Sequence, residues 1–145
     1  MLQVDEKDVK IIQMLEEDGR KSYDEMAKKL GMSEAGVRKR VQALMTKGVI
    51  KFTVKVDHAK IGMNTVAIVG VDVDPAKMLE IAQKLCELQE VKCVATSSGD
   101  HMVMTEIWTH DGQELRRLIS NRIEPMEGVR RICPALLQEK LKDQS

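Results

Sequence analysis

Only three residues, Gly31, Met32 and Ser33, separate two amphipathic stretches, and that gap constrains the fold more than any other feature of the chain. The first stretch, SYDEMAKKLG, opens with a capping signal: Ser22 can accept from the backbone, and Glu25 three residues on can return the bond. Met26, Ala27 and Leu30 form its apolar stripe, and Gly31 ends it. The second starts at Ser33, runs to about Lys47 and stops at Gly48. At about 100° per residue, Val37, Val41 and Leu44 fall on one side of it. A short glycine-containing turn between two amphipathic helices is the helix-turn-helix pattern.

A third element covers the stripes. DEKDVKIIQMLEEDG predicts a helix capped by Asp5, with Asp8 three residues on and Gly19 as its stop. Val9, Ile12 and Leu15 line its expected buried face, with Ile11 and Met14 widening it. After the third helix, VIKFTVKVD alternates Ile50, Phe52, Val54 and Val56 with Lys51, Thr53, Lys55 and Asp57, which predicts a half-buried strand. Three helices followed by a basic strand make a winged helix-turn-helix over residues 1–57.

The side of the third helix that faces away from Val37, Val41 and Leu44 carries Ala35, Gly36, Lys39, Gln42, Ala43 and Thr46, with Arg38 and Arg40 on its rims. Small residues let a helix sink into a groove. Lys39 and Gln42 can reach base edges, and rim arginines can reach phosphates. Gly36 costs the helix roughly 1 kcal/mol against alanine, which close approach to a DNA backbone or tight helix packing would explain. Arg40 has a rival role, pairing with an acid of the first helix. The formal net charge of the chain is zero, but between Arg20 and Lys51 nine Lys/Arg stand against three Asp/Glu, a local +6. That segment is an electrostatic footprint for a polyanion. The candidate DNA-contacting residues are Ser22, Ser33, Ala35, Gly36, Arg38, Lys39, Arg40, Gln42 and Lys51.

HAKIGMN, residues 58–63 and the following Asn64, breaks the pattern and reads as a linker. Residues 64–145 form the second expected domain. TVAIVGVDV predicts a strand; PAKMLEIAQKLCEL a helix with Pro75 in its first turn and Met78, Ile81, Ala82 and Leu85 inward; VKCVATSS and HMVMTEIWT two strands with Gly99 and Asp100 as a tight hairpin turn. DGQELRRLISNRI predicts a helix with Leu115, Leu118, Ile119 and Arg122 spaced along it, and VRRICPALL a last strand that Pro134 marks as an edge or a bulge. The order β-α-β-β-α-β is the ferredoxin-like arrangement, a four-stranded antiparallel sheet with both helices on one face. The fold class is therefore α+β. The other face of the sheet, rich in Val, Ile and Met, needs a cover, and self-association across a two-fold axis supplies one.

The chain resembles the Lrp/AsnC (feast/famine) family of prokaryotic transcription regulators. In the first half the resemblance rests on residues 5–53, and in the second on TVAIVGVDV, SSGDHMVMTEIWT and EGVRRICPALLQEKLK. It implies a winged helix-turn-helix joined by a linker strand to a ligand-sensing domain, dimers that assemble further, commonly to octamers, and an amino acid as effector. It further implies that the effector sits between sensing domains near the hairpin, which makes Ser97, Ser98, Gly99, Asp100 and His101 the candidate ligand-contacting residues. Many members carry an Asp three residues after the hairpin glycine; this chain has Met102 there and Asp100 one residue after the glycine.

Other chemistry is disfavoured. Ser, Asp and His fall together in SSGDH, but neighbours on a tight hairpin point apart, whereas a triad must hydrogen-bond in series. The expectation is no enzyme and no catalytic residue. His58, His101 and His110 are scattered and no Cys/His spacing fits zinc, so no metal or cofactor is expected. Cys86, Cys93 and Cys133 lack CxxC spacing and read as reduced, buried small side chains, consistent with a cytoplasmic location. No apolar run approaches a membrane span, and the acid-bearing N-terminus is not a secretory signal. The expected partners are double-stranded DNA, an amino acid and other copies of the chain. The reading that competes with DNA binding is a ligand-binding module that controls an enzyme through protein contacts made by the N-terminal helices.

Overall fold

Each N-terminal helix begins where its capping residues say it should. The computed structural model describes residues 4–141 and divides into two compact units, Met1–Lys55 and Val56–Ser145. In the first, α1 spans Glu6–Glu17, α2 Tyr23–Leu30 and α3 Glu34–Thr46. Asp5 Oδ1 accepts the Asp8 N–H at 2.9 Å while Asp8 Oδ2 accepts the Asp5 N–H at 3.2 Å. Ser22 and Glu25 close the same reciprocal pair at the start of α2. Each box satisfies two helix-end donors that would otherwise lack a partner. Gly31 ends α2 at φ +61°, a left-handed conformation costing an L side chain roughly 1–2 kcal/mol.

The first core gathers Ile11, Met26, Ala27, Val37, Val41 and Leu44. The α3 stripe is the one expected. The α1 stripe is rotated: Ile11 is fully buried at its centre, and Val9 is 43% exposed. Ile12, Met14 and Leu15 flank Ile11 and pack on the same core.

The expected wing strand is absent from the chain as it stands. Residues 51–57 form no ladder, and Phe52, Val54 and Val56 are 44%, 83% and 43% exposed. The alternation is real, but a strand exists only against a second strand that takes its backbone hydrogen bonds. No described segment of the single chain supplies one.

The second unit is the predicted βαββαβ. β1 is Thr65–Val73, α4 Met78–Cys86, β2 Val91–Thr96, β3 Val103–Thr109, α5 Gly112–Leu118 and β4 Val129–Leu136. The antiparallel order is β2-β3-β1-β4, so Pro134 does lie on an edge strand, opposite Val69. Ala67, Val69, Val71 and Val73 of β1 meet Ile81 and Leu85 of α4 and Leu115, Leu118 and Ile119 beyond β3 in one core. Each of these valine, isoleucine and leucine side chains contributes about 1.5–3 kcal/mol by leaving water. Arg122 is exposed and Ile123 is fully buried in its stead. The cause is a π turn over Ile119–Ile123, whose wider winding lowers the rotation per residue and brings Ile123 round to the core.

Two further expectations change. The β2–β3 connection is not a two-residue turn but a loop of residues 97–102, closed by the Ser97 N–H donating to the Met102 carbonyl at 2.9 Å. A primed two-residue turn needs positive φ, and Gly99 has none. The cysteines are not buried: Cys86 and Cys93 are exposed and Cys133 is half-buried.

Candidate DNA-reading helix and hairpin loop

The two capped helices leave α3 with one free side. Ala35, Lys39, Gln42 and Thr46 are exposed along it and Ala43 is half-buried. With Arg38 and Lys47 they line a shallow open depression of about 500 Å³. Its floor is methyl groups and its polar reach comes from Lys39 and Gln42. Lys39, Lys47 and Lys51 make no ion pair among the described residues, so their ammonium groups face solvent with their charge uncompensated.

The two rim arginines differ. Arg38 remains largely exposed; its Nη2 lies 2.9 Å from Glu34 Oε1, and its guanidinium sits 5.1 Å from the Tyr23 ring centroid. Arg40 takes the rival role. Its Nη1 is 2.7 Å from Asp5 Oδ2 and 2.8 Å from Asp8 Oδ1, the two members of the α1 capping box. Asp8 and then Asp5 push the Arg40 pKa further up, and the Asp8 backbone N–H followed by Arg40 hold the Asp5 carboxyl below its ordinary value. The structure therefore commits Arg40 to fastening α3 onto α1.

The serines are likewise in use. Ser22 Oγ accepts from the Glu25 N–H and Ser33 Oγ from the Gly36 N–H at 3.0 Å. A Cβ at Gly36 would stand 3.0 Å from Ser33 Oγ, so a side chain there would require the cap to shift slightly.

In the hairpin loop the five candidate residues part ways. Ser97 Oγ accepts the Gly99 N–H at 3.0 Å and shapes the turn. Ser98 and Asp100 are exposed, with no hydrogen bond or ion pair among the described residues. His101 folds back onto the helix-free face of the sheet. Its ring lies on Gly70, where any Cβ would come within 2.3 Å of Cδ2. Its Nδ1 is 3.0 Å from Asp72 Oδ1, and Arg131 Nε donates to Asp72 Oδ2 at 2.7 Å. His101 first and Arg131 second hold the Asp72 carboxyl below its usual value. Gly70, Asp72 and Arg131 are invisible as site residues until the β1–β4 register pairs Asp72 with Arg131. That helix-free face is less apolar than expected: Ile68, Met104 and Trp108 share it with Asp72, Glu106 and Arg131.

An AsnC-type helix-turn-helix domain model matches residues 4–45, and an Lrp/AsnC ligand-binding domain model matches residues 66–145. The chain belongs to the Lrp/AsnC family. As a member it is a transcriptional regulator with a DNA-binding helix-turn-helix and a ligand-binding domain. It is 47% identical over 140 residues to the HTH-type transcriptional regulator LrpA of Pyrococcus horikoshii, covering 96% of this chain and 99% of that one. AsnC of Escherichia coli has the same fold, with a TM-score of 0.90 at 19% identity over 99% of this chain and 97% of that one. So does a Neisseria meningitidis transcriptional regulator in complex with L-methionine, with a TM-score of 0.89 at 18% identity over 97% and 94%. Among the described residues no helix of this Lrp/AsnC regulator is long and apolar enough to cross a membrane.

Proposed function

We propose that α3 enters the major groove of double-stranded DNA, with Lys39 and Gln42 reading base edges over a floor of Ala35 and Gly36. Arg38, Lys51 and the capped helix starts at Ser22 and Ser33 contact phosphates; Arg40 holds α3 in place rather than touching DNA. The observation that carries this reading is the exposed α3 face itself: small at its centre, flanked by uncompensated lysines, and set in the one strongly basic segment of the chain. Major-groove entry needs that shape and that charge together.

We infer further that an amino acid binds at the hairpin loop. Turn N–H groups and the Ser98 hydroxyl suit its carboxylate, and the free Asp100 carboxylate suits its ammonium. The L-methionine complex of the Neisseria relative supports that ligand class. The reading includes a two-fold dimer, assembling further to an octamer, with the ligand shared between chains. The reading assigns part of that dimer contact to the exposed apolar side chains of Phe52, Val54 and Val56.

The test is a set of three α3 variants on a selected operator and on random duplex. Lys39→Ala or Gln42→Ala should relax preference at one operator position by roughly 1–3 kcal/mol. Arg38→Ala should weaken binding to every sequence and lower the salt slope by about one. Unchanged binding by all three would remove α3 as the reader. Asp100→Ala should abolish the amino-acid response, followed as DNA affinity and as size by light scattering, and leave ligand-free DNA binding intact.

A further inference from the structure

One contact on the helix-free sheet face serves neither DNA reading nor ligand capture. The first unit ends at Lys55, and three residues later His58 is half-buried. Its ring centroid lies 5.3 Å from that of Trp108, with the planes at 56°, within the attractive range for aromatic rings. His58 is held there from both directions. Its carbonyl accepts the Met63 N–H at 2.9 Å, and its Nδ1–H donates to the Met63 carbonyl at 2.9 Å. Trp108 is fixed as well: its Nε1–H donates to Glu106 Oε1 at 2.7 Å.

Trp108 is the last residue but one of β3, and the opposite end of β3 follows directly on the hairpin loop. Met104, Glu106 and Trp108 alternate onto the same face as His101, whose ring lies on Gly70, the register partner of Met104. Five residues of strand, roughly 17 Å, separate the loop from the seat of the linker. β3 is laddered on both sides, to β1 and β2, which makes it one continuous element between the loop and the linker.

We propose that Trp108 and His58 are positioning residues: they seat the linker on β3, so that a ligand-driven change at the hairpin reaches the segment carrying the DNA-reading unit. This rests on the hairpin being the ligand site. Contact becomes coupling only when the state of one end alters affinity at the other, and that is what the experiment reads.

Trp108 is the only tryptophan, so its emission reports the seat in the full-length protein without ligand. His58→Ala should red-shift that emission and raise its quenching by acrylamide; an unchanged spectrum and quenching overturn the proposal. DNA affinity is then measured with each of the twenty amino acids singly, for wild type, His58→Ala and Trp108→Leu, which keeps an apolar side chain but removes the ring. Where an amino acid shifts wild-type affinity by the usual ~5- to ~150-fold, the variants should still bind it by calorimetry but shift by about onefold. Variants that respond like wild type overturn the coupling and leave the hairpin site standing. A wild type that answers to none of the twenty overturns the hairpin site and the coupling with it.

Discussion

Truncating Ile11 to alanine should strongly destabilise the DNA-reading unit while the sensor sheet stays intact. Ile11 is fully buried, at the centre of a core of six buried side chains among the described residues. Removing an isoleucine from such a site costs about 2–5 kcal/mol, counting the cavity left behind. A unit of 55 residues holds about 3–8 kcal/mol of total stability. The loss is therefore a large share of the whole, and the unit should melt well below its wild-type midpoint. The second core shares no buried residue with the first, so nothing in it is directly weakened. Two optical signals separate the units. Trp108 belongs to the second, whereas α1, α2 and α3 hold most of the α-helical residues. In thermal melts of Ile11→Ala, ellipticity at the helical band should fall early and tryptophan emission should keep its wild-type midpoint, with DNA affinity lost alongside the ellipticity. A single transition, with both signals moving together at a lowered midpoint, would refute the premise of two separately stable cores.

Gly70→Ala should destabilise the sensor unit by forcing His101 off the sheet, because the added methyl would lie 2.3 Å from the ring. In a His101→Ala background the same change should be neutral or stabilising, giving a cycle with a coupling of ~0.5–3 kcal/mol in thermal melts. Asp72 titrates below its ordinary 3.8, chiefly through His101 and then Arg131. Its ionised form thus stabilises the fold fully above about pH 4, and that contribution disappears as pH falls through the lower folded-state value. Asp72→Asn should therefore flatten the acid limb of the sensor unit's melting temperature, read by Trp108 emission.

Local chemistry was legible in the sequence wherever neighbours along the chain decide the outcome. The capping pairs Asp5–Asp8 and Ser22–Glu25, the Gly31 stop and the Val37–Val41–Leu44 stripe depend only on spacing, and each forms as read. The outward face of α3 follows from that stripe by elimination. What escaped depends on partners distant in sequence. Ile11 rather than Val9 faces inward because α2 and α3 choose the side of α1 they cover. Arg40 finds Asp5 and Asp8 more than thirty residues away. The Asp72–His101–Arg131 cluster requires the register of three strands. The expected strand at residues 51–57 failed for the opposite reason: its local pattern is sound, and no second strand pairs with it among the described residues.

The π turn at Ile119–Ile123 has a meaning for how this helix tolerates changes in length. A π turn is an α-helix holding one residue more than its winding needs. Deleting Asn121 would let the segment wind as regular α-helix, with the residue now at 123 falling four places after Leu118 and three after Ile119. That is the inward-facing position in a 3.6-residue repeat, so the same isoleucine would still reach the core. Between Leu118 and Ile123 the chain can therefore lose one residue without losing a buried side chain. In the neighbouring strands the same deletion would turn every later side chain to the opposite face.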